Sequence, residues 1–229
     1  MHFPTPKLNE FFDTSKPIDG IISIFGDFGV GKTTLALQVA MNAAKKGNVV
    51  FFYSKANFPY EKVGKLLNDY SSQILNNLMF ISALSFTDLI LTVQNLELLI
   101  LTSLKENDPS VNLIVIDSIT DLYRLELNKD KKEKNFRLNY QLNQILANLY
   151  YINESYGPEI LIVNELSRKS YENSTKEVQS GGKVMDYWVR NSVKISRTKK
   201  LNVRKFKTTK DLEALSLRFL SDLSEHGFG

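Results

Sequence analysis

The chain contains no cysteine. A disulfide scaffold, a thiolate zinc site, an iron–sulfur cluster and a thiol nucleophile are excluded with it. Histidine is nearly as scarce. His2 and His226 stand at opposite ends of the sequence, so no His-based metal centre is expected. Clean apolar runs of bilayer length are also missing. The most apolar stretch, 84–104, carries Asp88, Gln94, Asn95 and Glu97, which argues against a membrane span and for a buried amphipathic helix. The first residues lack a basic start followed by a long apolar run, so no signal peptide is expected. Internal repeats, low-complexity tracts and linker-like segments are absent too. The expectation is a cytoplasmic protein without a membrane partner.

The composition present is that of a globular chain, with 43% hydrophobic and 24% charged residues, which excludes disorder and coiled-coil arrays as whole-chain readings. A length of 229 residues favours a single domain. The net charge of +4 is unevenly spread: residues 166–210 hold thirteen Lys or Arg against three acids, a balance of +10, which leaves −6 on the rest. A basic C-terminal third on an acidic body suits a polyanion partner, or is a solvated Lys-rich surface.

Strand-like and helix-like segments alternate along most of the chain. Residues 20–26, 49–53, 78–82, 112–117 and 159–164 are short apolar runs, as in strands covered on both faces. Between them, 32–46, 60–67 and 136–153 read as helices, and Ser85 with Asp88 marks the start of another. The late segments 192–196, 201–206 and 215–220 lack long helices between them. This order predicts an α/β fold: a mostly parallel central sheet, helices on both faces, and antiparallel C-terminal strands. Two polar stretches, 127–135 and 166–183, read as long loops.

Residues Gly26, Asp27, Phe28, Gly29, Val30, Gly31, Lys32 and Thr33 fit G-x-x-x-x-G-K-[ST] between a predicted strand and a predicted helix. The chemistry explains the residue types. Glycines let the loop close around phosphate oxygens, and the following helix adds its N-terminal dipole, so the expected cofactor-binding residues run from Gly26 through Thr34. Lys32 would hold the β- and γ-phosphates, and the Thr33 hydroxyl would bind Mg²⁺. The apolar run 112–117 ends in Asp117, the natural second metal-site residue, 85 positions after Lys32. The cofactors implied are ATP and Mg²⁺.

Residues 26–38 and 115–126 resemble the nucleotide loop and the acid-bearing strand of the RecA/Rad51 recombinases, above all archaeal RadA and its paralog RadB. The lead-in 5–26, the Ser180-Gly181-Gly182 triplet and the closing 218–228 resemble the same family. The resemblance implies a RecA-like P-loop ATPase core over 1–229 without the N-terminal helix-hairpin-helix domain of RadA. It implies a recombination and repair accessory that binds ATP and single- or double-stranded DNA and hydrolyses ATP weakly. Partners would be a RadA-type recombinase or another repair protein near the nucleoid, with oligomers possible through the ATP site. The two predicted loops occupy the places of the family's DNA-facing loops. Arg168, Lys169, Lys176 and Lys183 in the second would then contact DNA phosphates.

Two positions depart from the family pattern. Lys55 stands where the family keeps a water-orienting Glu, and Glu165 where it keeps a Gln that senses the γ-phosphate. Lys55 and Glu165 are thus the candidate, atypical catalytic pair, expected to face each other across the mouth of the site. The competing readings are a nucleotide-gated protein scaffold and a KaiC-like ATPase without a DNA role.

Overall fold

Alternate side chains of the inner strands point into two different cores, which fixes a sheet covered on both faces. In β1 (Ile21–Gly26), Ile22 and Ile24 enter one core and Ile21 the other. In β4 (Val111–Asp117), Leu113 and Val115 face the first, and Ile114 and Ile116 the second. The computed structural model describes residues 1–55, 57–67, 72–105, 110–171, 174–210 and 215–229. At 72–73, 104–105, 169–171, 174 and 176 it describes the backbone alone.

The first core is closed by α1 (Pro6–Phe12), α2 (Lys32–Ala44) and α3 (Tyr60–Leu67), through Leu8, Leu35 and Val63 among others. The second lies under α4 (Phe86–Gln94), α5 (Leu96–Lys105), α6 (Asp121–Glu126), α7 (Lys132–Tyr156) and α8 (Gly182–Trp188). The remaining strands are β2 (Asn48–Tyr53), β3 (Leu78–Ser82), β5 (Glu159–Tyr171), β6 (Ser174–Gln179), β7 (Val189–Arg197), β8 (Val203–Lys210), β9 (Leu215–Ser224) and β10 (Gly227–Phe228). Their order is β10-β9-β8-β7-β1-β5-β4-β2-β3, with β6 paired to the far half of β5. From β7 to β3 the pairings are parallel; from β7 to β10 they are antiparallel. The predicted fold class is therefore the observed one.

Three expectations are corrected. The stretch 84–104 is not one buried helix. It is broken between α4 and α5 at Asn95, whose amide donates back to the Leu91 carbonyl at 2.9 Å. By length and apolarity alone 86–103 could span a bilayer. Instead, Leu89, Val93, Leu96 and Ile100 pack on the sheet, while Leu91 and Leu98 are exposed. The Ser85–Asp88 start is present as a reciprocal capping box.

The second correction concerns 166–183, which is not a loop. β5 runs on past the central sheet to Tyr171 and forms an antiparallel hairpin with β6 from Leu166↔Gln179 to Tyr171↔Ser174. Polar composition hid it. The ladder satisfies the backbone, and Arg168 lies directly opposite Glu177, an opposite-charge pair that favours this register. The 127–135 stretch is also shorter as a loop than expected, because α7 already begins at Lys132.

Candidate functional site

The loop after β1 needs glycine for two separate reasons. A Cβ on Gly26 would lie 2.2 Å from the Ile195 carbonyl oxygen of the neighbouring strand. Gly31 caps α2 at φ +105, and a Cβ there would meet the Phe228 ring at 2.9 Å. Any other residue would be both strained and crowded at Gly31. Phe28 stands exposed at the loop tip, whereas Val30 is buried. Thr33 and Thr34 follow in the first turn of α2, and the buried Thr34 hydroxyl has no partner among the described residues.

Lys32 is buried, and its ammonium meets three acceptors: the Gly26 carbonyl at 3.0 Å, the Asp27 carbonyl at 2.9 Å and Glu165 Oε2 at 3.0 Å. A lysine has three donors, so all three are used. The contact with Glu165 follows from sheet register, because Gly26 pairs with Glu165 between β1 and β5.

Asp117 ends β4 with no exposed surface. Neither carboxylate oxygen has a partner at full hydrogen-bond geometry among the described residues, and the Thr33 hydroxyl and the Lys55 ammonium are its polar neighbours. Burial pushes its carboxyl above the usual carboxylate range, against the opposing pull of Lys55 and of the Thr33 hydroxyl. Ser54 braces the strand end: its N–H donates to the Asp117 carbonyl at 2.8 Å, and its hydroxyl accepts from the Ser118 N–H at 2.8 Å. A hard divalent cation takes oxygen donors of this kind. The free oxygens of Asp117 and the Thr33 hydroxyl therefore fit Mg²⁺, which would neutralise phosphate charge there.

The two departures do not pair with each other. Lys55 Nζ lies 3.7 Å from Asp117 Oδ1 and 3.9 Å from Asp121 Oδ2, whereas Glu165 is taken by Lys32. Burial depresses the Lys55 ammonium, but Asp117, Asp121 and Glu165 together lift it above the ordinary lysine value. The expected face-to-face contact is replaced by two separate ion pairs, Lys55 with Asp117 and Glu165 with Lys32.

Of the predicted DNA residues, Arg168 is placed against two acids, Asp27 at 3.1 Å and Glu177 at 3.5 Å. Lys183 is exposed in the first turn of α8. Lys169 and Lys176 are cross-strand neighbours in the hairpin, and their side chains lie outside the described residues.

Several site residues escaped the sequence reading. Arg197 donates to the Phe28 carbonyl at 3.0 Å, and Arg204 to the Val30 carbonyl at 3.2 Å, so both guanidinium groups brace the nucleotide loop. Asn164 ties three elements together. Its oxygen accepts from the Thr120 hydroxyl and from the Glu165 N–H, and its amide donates to the Ser180 carbonyl at 2.9 Å. Nothing local in sequence signals Arg197 or Arg204, whose partners lie 169 and 174 positions away. For Asn164, its place at the end of an apolar run was the available clue.

A family model described as Rad51 matches residues 7–213. Among curated proteins, the chain is 30% identical over 207 residues to the DNA repair and recombination protein RadB of Methanococcus maripaludis, covering 88% of this chain and 89% of the relative. The RadB of Methanocaldococcus jannaschii is 30% identical over 184 residues, 80% of each chain. That of Methanosphaera stadtmanae is 26% identical over 179 residues, 78% of this chain and 73% of the relative.

Proposed function

The chain belongs to the Rad51 family, and from that premise we propose that it is a RadB-like recombination and repair protein that binds ATP and DNA. It works as a nucleotide-dependent binder that turns ATP over slowly and assists a main recombinase. The whole of 1–229 acts as one ATPase core.

The observation that carries this reading is the juxtaposition of Lys32 at the mouth of the glycine loop with a buried, unsatisfied Asp117 at the end of β4. A buried carboxylate without hydrogen bonds costs stability and is kept where a ligand uses it. Slow turnover follows from Lys55. An ammonium beside two carboxylates stays protonated and cannot act as a general base for water. Bound Mg²⁺, held by Thr33 and Asp117, would supply countercharge to the phosphates, while Lys32 and the loop N–H groups orient them. DNA contact is assigned to the basic C-terminal third, with the β5–β6 hairpin joined to the nucleotide loop through Arg168 and Asp27. Oligomer formation through the ATP site belongs to the same proposal.

The test measures ATP affinity and single-stranded DNA affinity on one sample, with and without a RadA-type recombinase. Support is ATP binding together with DNA binding that tightens as salt falls. ATP binding with no DNA affinity at any salt would favour the protein scaffold.

A further inference from the structure

We propose that α7 and α8 together present an aromatic platform on which the unpaired bases of single-stranded DNA stack. The inference rests on the DNA-binding reading above and adds a contact to the bases themselves, apart from the phosphates.

One face of α7 serves the fold: Leu138, Leu142, Ile145, Leu149 and Ile152 are buried on the sheet. A second stripe runs along the helix beside it. Phe136, Tyr140, Asn143 and Tyr150 follow one another at helical spacing, which puts them on one side. The short helix α8 is fastened to the middle of that stripe. Trp188 Nε1 donates to Asn143 Oδ1 at 2.9 Å, and the Trp188 ring lies 5.6 Å from that of Tyr150 and 5.0 Å from that of Tyr187. The buried Met185 anchors α8 in the second core. Phe136, Tyr140 and Tyr187 are left 74%, 58% and 73% exposed. Single exposed apolar residues are ordinary, but a continuous row of rings is a surface made for contact.

The cations around the row identify its occupant. Lys132 precedes Phe136 by one helical turn, and Lys183 precedes Tyr187 in the same way, so each helix offers a cation and then a ring on one side. Residues 129–137 hold five Lys or Arg against two acids and line one open concavity. Of these five cations only Lys134 has an acid within ion-pair distance among the described residues, Glu126 at 3.6 Å. Rings beside such cations suit an unpaired nucleic-acid strand, which offers the π-faces of its bases and an anionic backbone. A duplex keeps those faces inside its own stack. A second copy of this chain on the same surface would set its own Lys132 and Lys183 against these two in a self-complementary interface.

The experiment measures fluorescence anisotropy of the full chain with three labelled probes of equal length: oligodeoxythymidylate, the same backbone with abasic sites, and a duplex. One variant combines Phe136→Ala, Tyr140→Ala and Tyr187→Ala, all at exposed positions. A second combines Phe136→Tyr, Tyr140→Phe and Tyr187→Phe. The parent should bind oligodeoxythymidylate at least tenfold more tightly than the abasic strand. The Ala variant should lose that preference, while its affinity for the abasic strand and the duplex stays unchanged. The aromatic variant should keep it. Trp188, the only tryptophan, should change its emission with oligodeoxythymidylate and not with the abasic strand. A parent that binds both strands equally overturns the proposal, whether or not the variants fold, and so does a folded Ala variant that keeps the preference. An Ala variant that keeps the preference and loses self-association overturns it too, and assigns the row to a second copy. Absence of DNA binding by the parent at every salt concentration is a different outcome: it removes the DNA-binding reading and this proposal with it.

Discussion

Glu165 Oε2 sits 3.0 Å from Lys32 Nζ, which sets an internal carboxylate in competition with the phosphate that this ammonium serves. The two are brought together by β1–β5 register and lie mostly out of solvent. Glu165→Gln removes the competing charge and keeps the shape. We expect the variant to bind ATP about tenfold more tightly, or about 1.4 kcal/mol, in a titration with a fluorescent ATP analogue. Unchanged affinity would mean that Glu165 leaves Lys32 without cost.

Lys32→Ala should abolish ATP binding, since the loop loses its one cation aimed inwards. It should also destabilise the protein, because Glu165 is left half-buried without its partner. Combining Lys32→Ala with Glu165→Gln should restore the melting temperature and leave ATP binding absent. Thermal melts with and without ATP separate the two effects. Full ATP affinity in Lys32→Ala would remove the phosphate-loop assignment.

Asp117→Asn is expected to stabilise the protein while weakening metal-dependent nucleotide binding. A buried charge with no hydrogen bonds is replaced by a neutral amide of the same shape. The gain should be on the order of 1 kcal/mol, or a few degrees in melting temperature for a chain of this size. The sign in pH follows from burial, which raises the folded carboxyl above its unfolded value. A raised acid makes stability fall as pH rises through the acidic range, until the group is fully ionised in both states. The parent should therefore lose part of its advantage between acidic and neutral pH, and Asp117→Asn should lose less. Identical pH profiles would show that Lys55 compensates the charge completely.

The phosphate loop and Asp117 were legible because their chemistry is local. Consecutive residues make the loop, and one apolar run delivers the acid to the sheet edge. The partners were not, since Lys32 with Glu165 and Lys55 with Asp121 depend on which strands neighbour which. The hairpin of β5 and β6 has the polar composition of a loop, yet an edge ladder needs only backbone pairing and a cross-strand ion pair such as Arg168 with Glu177. The break at Asn95 was hidden for a related reason. Apolar periodicity continues through it, and so do backbone bonds from the Asn95 N–H to the Leu91 carbonyl and from the Leu99 N–H to the Asn95 carbonyl.

DNA affinity should be salt-dependent and carried unequally by the hairpin. Arg168 already faces Asp27 and Glu177, so Arg168→Ala alone should change the salt slope little. Replacing Arg168, Lys169 and Lys176 together by Ala should lower the slope for single-stranded DNA by about one to two, at roughly 0.7 per phosphate contact. Fluorescence anisotropy across a salt series reads this directly. An unchanged slope in the triple variant would move the contact to another basic strand.

ATP hydrolysis measured beside ATP binding, on the same preparation and with single-stranded DNA present, bears most directly on a protein that holds nucleotide instead of spending it. Binding should be close to one ATP per chain, with turnover at least about a hundredfold below the median enzyme rate of roughly 10 per second. Lys55→Glu together with Glu165→Gln should raise turnover above the parent, whereas Lys55→Glu alone should not. A parent that already turns over at several per second would contradict the binder reading and would point to another carboxylate as the base, with Glu61 the first to replace.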